Sequence, residues 1–201
     1  MSEKTQIIFI HGGNSFDTDE EFYEDLRNRE FDLDEQPRIR WRDTLAKNLS
    51  STHTYHFILM PNAMNADYRA WSIWFDKVVP FLQNDVIFIG HSLGGSFLLQ
   101  YLSENILSVS AAQLHLVAPG VDTIDCPGMG NFSTELSSWT GFKNVIKAIH
   151  IWHSKDDELV PIHHSERLHK KLPSAIFHRF TDRGHFQVPE FPEIEAVILE
   201  K

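Results

Sequence analysis

One cysteine, Cys126, is the whole thiol inventory of the 201 residues, so an internal disulfide, a zinc ribbon and a CxxC redox site are all excluded. No apolar run approaches the ~18 residues of a membrane span. The opening Met1-Ser2-Glu3-Lys4-Thr5-Gln6 also lacks the basic-then-apolar layout of a secretory signal. A soluble, cytoplasmic protein without membrane association is the expectation. Positive charge is scarce too: 18 Lys and Arg face 28 Asp and Glu, a formal net charge of -10. Phosphate contacts need clustered cations, so no nucleic-acid partner is expected. Repeats and low-complexity linkers are missing. With 42% hydrophobic and 23% charged residues, near the globular average, residues 1–201 read as one domain long enough for a full core.

The acidic surplus is concentrated. Ten acids between Asp17 and Glu35 stand against Arg27 and Arg29, which accounts for -8 of the total -10 and leaves the other 182 residues nearly neutral.

Short apolar runs alternate with helical patterns, as a parallel sheet with crossover helices requires. The expected strands are Thr5–Ile10, Thr54–Met60, Asp85–Ile89, Gln113–Ala118, Val145–His153 and Ala175–Phe180. Ile7-Ile8-Phe9-Ile10 and Val86-Ile87-Phe88-Ile89 are continuously apolar, the mark of strands covered on both faces. Helices are expected over Pro37–Leu49, Tyr68–Leu82, Leu93–Asn105, Ile162–Leu172 and Pro192–Leu199. In the second of these, Trp71, Trp74, Phe75 and Val78 recur at i, i+3, i+4, i+7 and read as a buried face, with Pro80 ending or kinking the helix. Residues 119–144 carry little periodicity and read either as a lid or as a loop without function, with Phe132 and Trp139 as pocket candidates.

Gly90-His91-Ser92-Leu93-Gly94-Gly95 lies between an apolar strand and the start of a helical pattern. This is G-x-S-x-G, a sharp strand-to-helix turn that presents the serine in a strained conformation at the carboxyl edge of the sheet. A serine hydroxyl is a weak nucleophile, so it needs a histidine base, which in turn needs a carboxylate. The expected chain order is Ser, acid, His. Ser154-Lys155-Asp156-Asp157-Glu158 and Thr181-Asp182-Arg183-Gly184-His185 each leave a strand's carboxyl end, where α/β sites are built.

These pieces, together with His11-Gly12-Gly13, Met60-Pro61-Asn62 followed by Trp71, the proline at 161 and Gly184-His185-Phe186-Gln187, make the whole chain resemble a small α/β-hydrolase. The nearest types are the compact serine hydrolases typified by the retinoblastoma-binding serine hydrolase and bacterial YdeN. The resemblance implies a reduced α/β-hydrolase fold with a mostly parallel sheet of about six strands in order 2-1-3-4-5-6 and helices on both faces. It implies Ser92 as nucleophile, His185 as base and Asp157, four residues before the proline, as the acid, with Asp156 as runner-up. In the family's pattern the His11-Gly12-Gly13 loop supplies an oxyanion-hole N–H from Gly13, or alternatively Asn14, beside that of Leu93. The implied reaction is hydrolysis of an ester-like bond of a small acyl substrate through an acyl-enzyme, with no cofactor. An amidase or peptidase using the same triad, and a protein-binding module with little turnover, are the alternatives; no protein partner is identified.

The other histidines carry no such pattern. His150 and His153 fall on opposite faces of a strand and His163 and His164 are adjacent, so no metal site is expected. His91, next to Ser92, should pack or hydrogen-bond rather than catalyse. Cys126, in a glycine-containing loop, could be exposed, but has no basic neighbour to form a thiolate. The acidic segment leaves the His11–Gly13 loop, so an insertion over 14–36, helical across Glu20–Arg29 and anchored by Phe16, Phe22, Tyr23, Leu26, Phe31 and Leu33, should flank the site. Its charge would disfavour anionic substrates. The competing reading is a surface loop without influence on turnover.

Overall fold

β-branched and aromatic runs with no polar interruption belong in the middle of a doubly covered sheet, and the computed structural model places them there. It describes residues 4–34, 38–123, 125–126, 128–132 and 145–200. Six strands, β1 (Thr5–Ile10), β2 (His53–Ile58), β3 (Val86–His91), β4 (Ala111–Val117), β5 (Ile146–Ser154) and β6 (Ile176–Phe180), form one sheet in the order β2-β1-β3-β4-β5-β6. Every neighbouring pair is parallel.

Parallel neighbours need crossovers, and these are α1 (Asp19–Asn28), α2 (Trp41–Asn48), α3 (Tyr68–Phe75), α4 (Leu93–Glu104), α5 (His163–Lys171) and, at the end, α6 (Pro192–Leu199). Alternate residues of β1 serve opposite faces. Ile8 and Ile10 join Trp71, Phe75, Phe97 and Leu168 on one side. Ile7 and Phe9 join Trp41, Leu45, Ile194 and Ile198 on the other. From β1 the chain turns one way to β2 and the other way to β3, so a crevice opens at the carboxyl ends of β1 and β3, where an open α/β sheet places its ligand. None of the described helices is long and apolar enough to cross a membrane.

Four local readings are corrected. α2 starts at Trp41, whose N–H donates to Val188 O at 2.9 Å; Pro37 lies outside the described residues. α3 stops at Phe75 and the chain continues as a 3₁₀ turn, Val79–Phe81, because Pro80 has no N–H to donate and its ring crowds the carbonyl four residues back. In so short a helix only Trp71 and Phe75, one turn apart, face the sheet, both fully buried, while Trp74 is 46% exposed. In the acidic segment Thr18 caps α1, its Oγ1 accepting from Glu21 N at 3.2 Å, and Asp19, Glu20 and Glu21 complement the helix dipole. No residue of α1 is buried, and Phe31 and Leu33, read as anchors, are almost fully exposed. The local acids stay solvated and draw this segment outward.

On the second face β4, β5 and β6 stack imidazoles. His115 lies over His150 at 4.9 Å between ring centroids, and Trp152 over His178 at 3.7 Å. Trp152 Nε1 donates to His115 Nδ1 at 3.2 Å, so His115 Nε2–H donates to Gln113 Oε1 at 2.9 Å, the pattern of a neutral ring. Burial, then the neighbouring imidazoles, hold His115 well below the ordinary histidine range. Burial and His178 push His150 down to about 4, and burial lowers His178 as well. The unfolded chain therefore takes up protons first. Stability is fully present above about pH 6.5, the unfolded value, and drains away as pH falls toward 4. Thermal unfolding followed from pH 7.5 to 5 should show Tm falling by at least about 5 °C, and a flat profile would contradict the neutral stack.

Candidate active site

The turn between β3 and α4 is held from both sides. Ser92 has φ 54° and ψ -126°, a left-handed conformation that costs a non-glycine residue about 1–3 kcal/mol unless its surroundings enforce it. Ser92 N–H donates to Val117 O at 2.8 Å, and Ser92 O accepts from Gly95 N at 2.8 Å. A Cβ at Gly94 would lie 2.4 Å from Ile10 O and 2.5 Å from His11 O, so only glycine lets α4 approach the end of β1 this closely.

That approach brings the His11-Gly12-Gly13 loop against the serine. A Cβ at Gly12 would sit 2.9 Å from Ser92 Cβ. His11 braces the loop: its Nε2 accepts from Met60 N at 2.9 Å, so Nδ1–H donates to Gly12 O at 2.6 Å. Burial lowers its pKa, keeping it neutral. Asn14 N–H is consumed by Ala63 O at 2.9 Å. Among the described residues the N–H of Gly13 makes no backbone hydrogen bond outside the strands, and Leu93, the first residue of α4, has an N–H that the helix itself leaves unpaired.

His185 and the two aspartates meet at the carboxyl ends of β5 and β6. His185 Nδ1 donates to Asp157 Oδ2 at 2.8 Å. The other carboxylate oxygen accepts from Leu159 N and Val160 N, both at 2.9 Å. His153, fully buried, reaches Asp157 Oδ2 at 3.4 Å while bonding Val160 O and Ser165 Oγ. Burial alone would raise the Asp157 pKa, but the hydrogen bonds from His153 and His185 outweigh it and hold the carboxyl well below the usual range. Asp156 does different work. Its Oδ1 accepts from Ser154 Oγ and, at 3.0 Å, from Gly184 N, while Ser154 Oγ accepts from Arg183 N at 3.0 Å. Adjacent residues leaving a strand point apart, so Asp156 pins the backbone of the histidine loop and Asp157 meets the ring. His91 Nε2–H donates to His185 O at 3.0 Å and its ring lies 5.1 Å from that of His185. Burial pushes its pKa down to about 3, so it is a neutral support.

Ser92 and His185 line the same two cavities, one of about 550 Å³ and one of about 250 Å³. Their side chains are not hydrogen-bonded to each other; in ligand-free enzymes such contacts are often loose and tighten with substrate. The smaller cavity is walled by Leu93, Met129, Val160 and Cys126. Cys126 is buried, not exposed, and burial raises its pKa to about 11, so it is an inert thiol. Phe132 is fully buried against Trp71, 5.0 Å between centroids. It belongs to the core rather than to a pocket wall, because its ring packs edge-on against Tyr68 and Trp71 of α3. Trp139, with most of the irregular stretch, lies outside the described residues. No cluster of three or more His, Cys, Asp or Glu among the described residues is placed to hold a metal ion.

Two features escape a reading by motif. His153 carries no motif at all. Arg29, Arg40 and Arg42 line the larger cavity; the only signal for the last two is the alternation Arg38-Ile39-Arg40-Trp41-Arg42, masked by the acids before it, and Arg29 lies among those acids with no signal of its own.

No protein-family model matches the sequence, and no curated protein does so significantly. Solved structures do resemble this one. The ydeN gene product of Bacillus subtilis superposes with a TM-score of 0.78 at 19% identity over 97% of each chain. A YdeN-like hydrolase from Pectobacterium atrosepticum gives 0.62 at 13% identity over 96% of this chain and 89% of that one. An esterase from Exiguobacterium antarcticum gives 0.62 at 14%, over 99% and 92%. At these identities the shared property is the fold, a YdeN-like α/β-hydrolase fold.

Proposed function

We propose that the chain is a serine hydrolase that cleaves an ester-like bond of a small acyl substrate. Ser92 Oγ attacks the carbonyl carbon as His185 Nε2 takes its proton. The tetrahedral oxyanion is met by the N–H groups of Gly13 and Leu93, and its collapse expels the alcohol, which receives the proton from His185. Water, deprotonated by the same imidazole, then releases the acid and restores the serine. Asp157 keeps the proton on Nδ1, leaves Nε2 as the base, and stabilises the imidazolium as it forms. One observation carries the reading: the 2.8 Å bond from His185 Nδ1 to a buried carboxylate whose second oxygen is already occupied, beside a cavity that also holds a serine at positive φ. The hydrolases and esterases of the same fold agree with it.

The covalent intermediate gives a direct test. Esters sharing one short or medium acyl group but differing in leaving group should, with added methanol, yield a constant ratio of methyl ester to acid, since both products arise from one acyl-enzyme. A ratio that changes with the leaving group would exclude that intermediate. Failure to hydrolyse any such ester would remove the reading altogether.

A further inference from the structure

The charge of the larger cavity runs against that of the whole molecule. The chain carries -10 and the segment from Asp17 to Glu35 carries -8. Yet the larger of the two cavities that Ser92 lines carries Arg29, Arg40 and Arg42 and no Asp or Glu among the described residues, whereas the smaller carries Asp125 and Glu158 and no Lys or Arg. Acidic residues of the insertion, Asp17, Glu21 and Glu24, line a different cavity with Phe16 and Met129. What the insertion contributes to the wall beside Ser92 is a cation, Arg29, just beyond the end of α1. The wall of this cavity is thus opposite in sign to what repulsion of anions would need.

The three guanidinium groups are only partly neutralised. Arg29 Nε bonds Asp25 Oδ2 at 2.7 Å, and Arg42 Nε lies 3.7 Å from Asp43 Oδ1. Both pairs are solvent-accessible, where screening makes such contacts weak. The guanidinium of Arg40 has no carboxylate within ion-pair distance among the described residues. Arg42 stands with its guanidinium carbon 4.6 Å from the centroid of the Phe57 ring. The ring holds the cation in place, and a guanidinium presents N–H donors in a fork that suits a planar oxyanion. Its positive charge is felt at His11 and His91, the two braces of the catalytic loops, where it helps to lower their pKa values. Met60, Ala63 and Met64 complete the wall, giving a short apolar stretch beside the cations.

We propose that the preferred substrate is an ester bearing an oxyanion group, a carboxylate in the first instance, held by Arg40 and Arg42 with Arg29 at the margin, a short apolar span from the scissile carbonyl. This rests on the hydrolase reading and adds a substrate class to it. Such a ligand joins a bidentate guanidinium contact to a small buried chain, and the positive lining draws it in despite the negative surface.

The test separates the two claims. The glutarate monoester of p-nitrophenol is compared with the pentanoate ester for an anion on the acyl side. The acetyl ester of 4-hydroxybenzoate is compared with its methyl-capped form for the leaving side. At low salt, kcat/KM in at least one pair should favour the anion by about tenfold or more. That ratio should shrink toward one in Arg40→Gln/Arg42→Gln and in high salt. Arg27→Gln removes the same kind of charge from α1 outside the cavity and should leave the ratio as it is. Neutral esters hydrolysed with no anion preference in either pair would overturn this inference while leaving the hydrolase intact. An equal loss of preference in Arg27→Gln would do the same. A readout independent of turnover is thermal stabilisation by glutarate against glutaramide. Glutarate should raise Tm in the wild type but not in Arg40→Gln/Arg42→Gln, and no difference between the two ligands would count against the cationic site even if no ester were turned over.

Discussion

Ser92→Ala is expected to lower ester hydrolysis by about 10⁶-fold, the scale on which removing a serine nucleophile from a working triad acts. Only Oγ is lost, and the rest of the apparatus remains. The proposed oxyanion donors, the N–H groups of Gly13 and Leu93, are untouched by the change, and the turn is still held by the bond from residue 92 N–H to Val117 O. Activity of about 10³–10⁴ over the uncatalysed rate should therefore persist. Alanine, like serine, is strained at φ 54°, so the variant should fold with nearly unchanged Tm. Steady-state rates with a short-chain ester, alongside the thermal midpoint, check both statements. A variant within tenfold of wild type would remove Ser92 from the chemistry.

The second large effect distinguishes neighbours. Asp157→Asn should reduce kcat by about 10⁴-fold, whereas Asp156→Asn should cost no more than about tenfold. At position 157 the amide oxygen goes on accepting from Leu159 N and Val160 N, as Oδ1 does now. The NH₂ group is then turned toward His185 Nδ1, which must accept. The ring proton moves to Nε2, and the base is lost. At position 156 an asparagine oxygen can still accept from Gly184 N, so the histidine loop keeps its anchor and loses only the charge assistance. Rates of both variants on one ester settle the assignment, and a reversed ranking would give the acid's role to Asp156.

What could be read in advance followed from local chemistry. The uninterrupted apolar runs of β1 and β3 could only be central parallel strands, and Gly90-His91-Ser92-Leu93-Gly94 between strand and helix required a tight turn. The meeting of the acidic and histidine loops followed from parallel strands that all end on one edge, and their order was that of the motif. What could not be read depended on contacts remote in sequence. Trp74 differs from Trp71 only in which side of a short helix meets the sheet. Cys126 and Phe132 are buried by elements that no periodicity in their own loop reveals. Whether Gly13 or Asn14 keeps a free N–H is decided by Ala63, some fifty residues on, whose carbonyl takes that of Asn14. The arginines of the cavity were hidden by averaging: a strongly acidic stretch adjoins a locally basic one, and only folding sends their charges to different cavities.

The central claim, that Ser92 is an activated nucleophile, is tested most directly by covalent labelling with a fluorophosphonate, followed by intact mass and peptide mapping. The serine oxygen displaces fluoride at phosphorus, a reaction that ordinary surface serines do not undergo because they lack a base. The account predicts one adduct per chain, on the peptide containing Ser92, and none in folded Ser92→Ala; stoichiometric labelling that survives in Ser92→Ala would contradict it.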